Sequence, residues 1–187
     1  MQRFTFATEV EWTAEPITEV MANMSMQTVG SRNLRLGALA VAGVIAASVA
    51  GQLATFPNLV PWYAGLAKPS FNPPNWLFGP VWTTLYALMA LAVWRILRLP
   101  QATASRGLAL SLFFVQLALN AAWSWMFFAA HNPLLGLINI VPQLAIVIAT
   151  VVVFLRLDKI AAWCLVPLVA WVAFASTLNF AIWRLNG

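Results

Sequence analysis

Five apolar stretches of about 20 residues decide most of what this chain can fold into. They cover residues 34–53, 80–97, 108–129, 134–155 and 162–183. A helix rises about 1.5 Å per residue, so each stretch can cross roughly 30 Å of hydrocarbon. Lipid offers no partners to backbone N–H and C=O groups, so the crossing segments must be helices. Composition agrees: 62% of the 187 residues are hydrophobic and 8% are charged, where a soluble domain carries roughly 25% charged residues. The expected fold is all-α, an integral membrane bundle of five transmembrane helices.

Residues 1–33 have a different character. They hold four of the five acids, Glu9, Glu11, Glu15 and Glu19, and little sustained periodicity. They read as a flexible N-terminal tail, with Met24 and Met26 as alternative starts. Residues 34–187 form the membrane domain. The basic-then-apolar stretch 32–50 resembles a signal peptide, but its apolar run exceeds an h-region of about 7–15 residues and further spans follow. It reads as an uncleaved first span. Pro80 suits the first turn of the second helix and Pro133 the start of the fourth, whereas Pro142 and Pro167 lie inside spans.

Lys and Arg set the orientation. Arg3, Arg32, Arg35, Arg95, Arg98, Arg106, Arg156 and Lys159 fall on the N-terminal side, and only Lys68 and Arg184 on the other. This bias predicts a cytoplasmic N-terminus. A bacterial plasma or inner membrane is the expected location, with an outer membrane as the alternative. The net charge of +5 is therefore a topology signal and implies no nucleic-acid partner.

Several chemistries are excluded. No Asp, Glu, Lys or His sits at the centre of a span, which disfavours proton relays and ion-coupled pumps. His131 is the single histidine and lies in a short loop, so axial haem ligation is weak. Cys164 is alone in an apolar run and reads as an inert buried thiol. No metal-ligand cluster or nucleophile–base set is present, and no cofactor is required.

Neutral and aromatic groups remain. Trp82, Tyr86, Met89 and Val93 share one helical face, as do Gln116, Asn120, Trp123 and Phe127. Asn139 and Gln143 lie one turn apart, and Trp171, Ala175, Leu178 and Ile182 form a stripe with Asn179 beside it. Amides are costly in hydrocarbon unless paired, so these should point inward. The segment WYAGLAKPSFNPPNWLFGPVWTTLY, residues 62–86, is rich in Trp and Pro. Pro stiffens it into a covering loop, set at 54–79, with Trp62, Pro73, Pro74 and Trp76 as lid residues. Converging faces under such a lid suit a large, flat, apolar ligand. Helix packing by the amides and an interfacial belt of Trp62, Trp94, Trp163 and Trp183 are the plain alternative; a pore is a third.

The segment 62–89, then QLALNAAWSWMFF, then PLVAWVAFASTLNFAIWRLN resemble the tryptophan-rich sensory protein family, which includes the translocator protein, also called the peripheral benzodiazepine receptor. The resemblance runs from Leu34 to Asn186 and includes NPP-x-W and LNF-x-x-x-R. It implies a five-helix homodimer that binds porphyrins such as protoporphyrin and, in some members, sterols and drugs. The implied ligand-binding residues are Trp82, Asn120, Trp123, Trp171, Ala175 and Leu178, to which the helical faces add Tyr86 and Phe127. A sterol-like motif would use Leu178, Phe180 and Arg184, with Phe180 in place of the usual Tyr. Ser70 and Phe71 stand where many bacterial relatives carry a Trp pair. The implied role is a tetrapyrrole-binding receptor or regulator. The alternatives are a light-dependent porphyrin-degrading enzyme, with Trp82 and Trp171 photoreactive, and a carrier of porphyrin or sterol-like cargo.

Overall fold

A computed structural model describes residues 17–187. It contains five long helices: α1 (Ile17–Thr55), α2 (Asn75–Leu97), α3 (Arg106–Ser124), α4 (Pro133–Leu157) and α5 (Lys159–Asn186). Each is long and apolar enough to span a membrane. The protein is an all-α integral membrane bundle, and every apolar stretch read from the sequence lies in one of its helices, the third continuing beyond α3 through a wider turn to Ala129.

Tertiary contacts divide the chain after Arg35, and the five-helix unit is Leu36–Gly187. Helix α1 begins at Ile17, so residues 17–33, expected in the tail, are helical. No Gly or Pro interrupts that segment before Gly30, so nothing in it stops a helix. Residues 1–16 of the expected tail lie outside the described residues.

Two further expectations change at the first connection. The covering loop set at 54–79 is shorter, because helical turns at Phe56–Asn58 and Leu59–Tyr63 prolong α1 and helix α2 starts at Asn75. What remains is a connection over residues 64–74. Pro80 is consequently inside α2, beyond its first turn. The carbonyl it leaves without a donor is that of Trp76, in the exposed first turn. Pro74, fixed in an extended conformation (φ −61°, ψ 142°), is what caps the helix start.

Elsewhere the ends follow local rules. Asn132 accepts a hydrogen bond from the Leu135 N–H at 3.0 Å, with Pro133 in the first helical position as expected. Asp158 separates α4 from α5 by a single residue and caps α5 through the Ala161 N–H at 3.0 Å.

Helix α5 packs between α2 and α4, and α4 between α5 and α3. Helix α1 lies over α2 and α3 through small residues: Gly37 faces the Trp94 indole, Gly43 faces Phe114, and Gly51 faces Ser124. The Trp125 indole N–H donates to the Ala50 carbonyl at 3.0 Å. The main core joins Met89, Val93 and Ile96 to Phe113, Phe154, Leu165 and Leu168, all fully buried. The five amides Gln116, Asn120, Asn139, Gln143 and Asn179 are buried, as their cost in hydrocarbon requires.

The α2–α3 and α4–α5 ends hold Arg95, Arg98, Arg106, Arg156 and Lys159. There the Arg95 Nε donates to Asp158 Oδ2 at 2.9 Å. Burial pushes the Asp158 carboxyl up, but the Arg95 hydrogen bond, the Ala161 and Ile160 N–H groups and the Arg95 charge outweigh it, and the net shift is downward. A lowered carboxyl pKa contributes stability above the unfolded value of about 3.9, and that contribution is lost as pH falls through the folded value. Asp158→Ala, which removes both cap and ion pair, should cost about 2 kcal/mol at neutral pH. Asp158→Asn should cost less, since its amide oxygen still caps. Thermal melts between pH 7 and pH 3 check this: the gap between wild type and Asp158→Asn should close in acid.

Candidate functional site

The compartment at the opposite end is built by two departures from regular helix. Pro61 bars the helical conformation to the residue before it, and Val60 is extended (φ −133°, ψ 131°). The chain bends there, Tyr63 is buried, and Trp62 packs in the same cluster. At the end of α3 the backbone widens by one residue per turn over Trp125–Ala129, with the Ala130 N–H bonded to the Trp125 carbonyl at 2.8 Å. Such wide turns recur at functional sites. This one leaves both Phe127 and Phe128 buried, at 2% and 8% exposure.

The resulting cluster joins Tyr63, Phe127, Phe128, Leu178 and Ile182, with Trp62, Phe78, Trp123 and Phe174 against it. Trp123 stacks on Phe127 (5.0 Å between centroids, 20° between planes) and meets Phe128 edge-on at 5.7 Å. Trp62 meets Phe127 edge-on at 5.5 Å. On the α5 side Trp171 contacts Phe78 and Phe174, each at 5.7 Å, and Phe71 of the loop reaches Phe174 at 6.4 Å. Edge-to-face and offset pairs of this kind add about 0.5–1.5 kcal/mol each beyond area burial.

Neutral hydrogen bonds fix the walls. The Trp123 Nε1–H donates to Asn179 Oδ1 at 3.0 Å, and Asn179 Nδ2 donates to the Pro133 carbonyl at 2.7 Å. One amide thus ties α3, α4 and α5. The Tyr86 hydroxyl donates to Asn120 Oδ1 at 3.1 Å, joining α2 to α3. Two buried acceptors, Gln116 Oε1 and Asn139 Oδ1, have no hydrogen-bond partner. Buried acceptors are usually satisfied, so these mark where a water or a ligand donor would be favoured.

The cover is pinned at both sides. The Ala67 N–H donates to Asn186 Oδ1, and Asn186 Nδ2 returns a bond to the Ala67 carbonyl, each at 2.9 Å. Across the compartment the His131 ring stacks on Trp62 at 4.7 Å, and its Nε2 lies 2.7 Å from Asn58 Oδ1. Lys68 sits 4.6 Å above the Tyr63 ring. Asn186→Ala should therefore loosen the cover while leaving the bundle intact. Amide exchange around Ala67 should rise about tenfold, with the melting temperature nearly unchanged.

The expected site residues separate into groups. Trp123, Phe127 and Leu178 lie in the ring cluster with Trp62. Trp82, Tyr86, Trp171 and Ala175 pack on the main core, and Trp123 belongs to both clusters. Trp171 meets Phe78 of α2. Of the lid residues, Pro73 and Pro74 precede α2, while Trp76 is 72% exposed and stands apart from the cluster. Trp62, half-buried at the end of the first span, packs against the rings of Phe127, Phe128 and His131. The sterol-like motif does not form one face: Leu178 is buried, whereas Phe180 is exposed against Trp183 and Arg184 is exposed. Two residues apart on a helix is about 200°, so Leu178 and Phe180 cannot share a surface.

Sequence reasoning missed Tyr63, Phe78, Phe128, Phe174 and the latch Asn186. Phe78 continues the stripe of Trp82 and Tyr86 by four residues, a signal hidden by starting the helix at Pro80. Phe174 lies one turn from both Trp171 and Leu178.

Comparison with known proteins matches residues 38–184 to the profile of the TspO/MBR family. The tryptophan-rich protein TspO of Archaeoglobus fulgidus is 43% identical over 146 residues, covering 78% of this chain and 94% of the relative. Protein CrtK of Rhodobacter capsulatus is 38% identical over 76% of this chain and 89% of its own length. The human translocator protein is 41% identical over 67% of this chain and 75% of its own length.

Proposed function

This chain belongs to the TspO/MBR family, and we propose that its loop-covered aromatic compartment binds a tetrapyrrole such as protoporphyrin, making it a membrane receptor or regulator of tetrapyrrole metabolism or stress signalling. The observation that carries the reading is the ring cluster itself. Trp62, Tyr63, Phe78, Trp123, Phe127, Phe128 and Phe174 supply flat apolar surface to one packed cluster beside the first connection. Asn179 contributes a neutral polar group at the cluster through Trp123, and Asn120 another on the adjoining main core through Tyr86. A broad, planar, apolar ligand is the chemistry such a lining matches. Binding requires the rings to part, and the 64–74 cover, held to α5 by the paired Ala67–Asn186 hydrogen bonds, is the element that would open.

In this reading Trp171 and Trp82 flank the macrocycle, and the Tyr86–Asn120 pair exchanges its internal bond for one to the ligand's polar edge. The protein acts as a homodimer, with the Arg-rich connections on the cytoplasmic side of a bacterial plasma membrane. The support for that orientation is the Lys and Arg asymmetry alone.

The test is protoporphyrin affinity of detergent-solubilised variants, read in the dark from the ligand's absorption. Trp171→Ala and Trp82→Ala should each weaken binding by about three- to tenfold, the worth of one or two ring contacts. Unchanged affinity in both sinks this placement of the ligand. Subsequent illumination separates a receptor from a photochemical enzyme: protein-dependent bleaching that Trp→Phe variants lose while still binding would indicate turnover.

A further inference from the structure

Away from the ring cluster, α1 and α2 part to leave an apolar cavity of about 570 Å³. Its walls include Gly37, Val41 and Ile45 of α1 with Ala87, Ala90 and Trp94 of α2. The space exists because three of these six carry no side chain or only a methyl group. Val41 and Ile45 are about half exposed, at 46% and 54%, so the cavity opens outward to the lipid side. Its size falls within the roughly 300–1,000 Å³ of small-molecule sites.

One end of this groove is charged. Trp94 closes it against Gly37, and the Arg98 guanidinium stacks 4.7 Å above the Trp94 ring. Asp158, the acid of the α4–α5 turn, is engaged by Arg95 at 2.9 Å. Arg106 is turned inward, donating to the Ile96 and Leu97 carbonyls. Among the described residues Arg98 has no carboxylate within ion-pair distance. An apolar groove thus runs up to a tryptophan and to a cation that has no carboxylate partner among the described residues.

We propose that this groove binds an anionic phospholipid, one acyl chain lying along Val41, Ile45 and Ala90 and the phosphate resting on Arg98. A neutral sterol or fatty chain would fill the volume and leave the guanidinium unmatched. Basic positions beside grooves between membrane helices are where anionic headgroups are held, and Arg suits a phosphate by paired hydrogen bonds.

Native mass spectrometry of the full chain in detergent tests this by titration with dioleoyl phosphatidylglycerol, dioleoyl phosphatidylcholine and glycerol 3-phosphate. Phosphatidylglycerol should saturate at one molecule per chain and bind about fivefold more tightly than phosphatidylcholine, the factor one Arg supplies near a charged headgroup. Arg98→Gln should remove that preference, and Ala90→Phe should block both lipids. Glycerol 3-phosphate should not compete. Equal binding of the two lipids, non-saturating binding, a preference that survives Arg98→Gln, or effective competition by glycerol 3-phosphate each overturns the proposal. Arg98 is exposed and its variant carries the test if Ala90→Phe does not fold.

Discussion

Replacing Trp123 by alanine should lower the unfolding free energy by about 3 kcal/mol, at the lower end for a large aromatic because the indole is only partly buried. Protoporphyrin binding should be lost with it. Trp123 is the one predicted site residue that packs in both hydrophobic clusters. Its removal deletes the stack on Phe127, the edge contact with Phe128 and the hydrogen bond to Asn179. Asn179 Oδ1 would then be a buried acceptor without a donor, which adds to the cost. Trp123→Phe divides these effects. It keeps an aromatic face and loses only the N–H, so it should cost about 1 kcal/mol and retain most of the binding. Thermal unfolding of the two variants in one detergent, alongside a porphyrin titration, checks both statements. A Trp123→Ala protein that melts like wild type would show that the two clusters do not depend on the bridge.

Gly136→Ala should have the second large effect, about 1–3 kcal/mol of destabilisation, because it overpacks a closed site. A Cβ at Gly136 would lie 2.8 Å from Asn179 Oδ1, 2.9 Å from Phe127 Cδ2 and 3.1 Å from Phe127 Cβ. None of these atoms is the free end of a flexible chain. Asn179 is held by Trp123 and by the Pro133 carbonyl, and Phe127 is buried under Trp62 and Trp123. Relief must come from moving α4 away from α5, which stretches the Asn179–Pro133 bond. The expected readout is a lower melting temperature with weakened porphyrin binding. Gly79→Ala is the control, since a Cβ there meets nothing within 4 Å; it should melt within a degree or two of wild type or slightly higher. If Gly136→Ala and Gly79→Ala behave alike, the close approach of α4 does not constrain the compartment.

The sequence carried the bundle clearly and the compartment only in part, for identifiable reasons. Length and hydropathy fix a spanning helix because the bilayer sets both, so all five helices were legible. Burial of Gln116, Asn120, Asn139, Gln143 and Asn179 was legible too, since an amide facing lipid is too costly. What periodicity cannot supply is the partner of each face. Trp82 and Trp171 both lie on inward stripes, yet it is Phe78 that meets Trp171, because α2 starts at Asn75 rather than at Pro80. Phe127 and Phe128 lie in the wide turn that ends α3, where the spacing of ideal helix no longer places a side chain. The three residues of the sterol-like motif are adjacent only in sequence: a linear pattern ignores that Leu178 is buried and Phe180 exposed, on opposite sides of α5. The α1–α2 groove is a gap between helices, and gaps leave no residue pattern of their own.

The most direct measurement is a dark titration of the purified wild-type protein with protoporphyrin, following quenching of tryptophan fluorescence. The rings of Trp62, Trp123 and Trp171 would all lie beside a ligand held under the 64–74 cover. Saturable quenching at one ligand per chain, lost in Trp123→Ala, is the predicted result. Quenching that rises without saturation, or that is the same in wild type and in Trp123→Ala, would contradict the account and leave the ring cluster as packing alone.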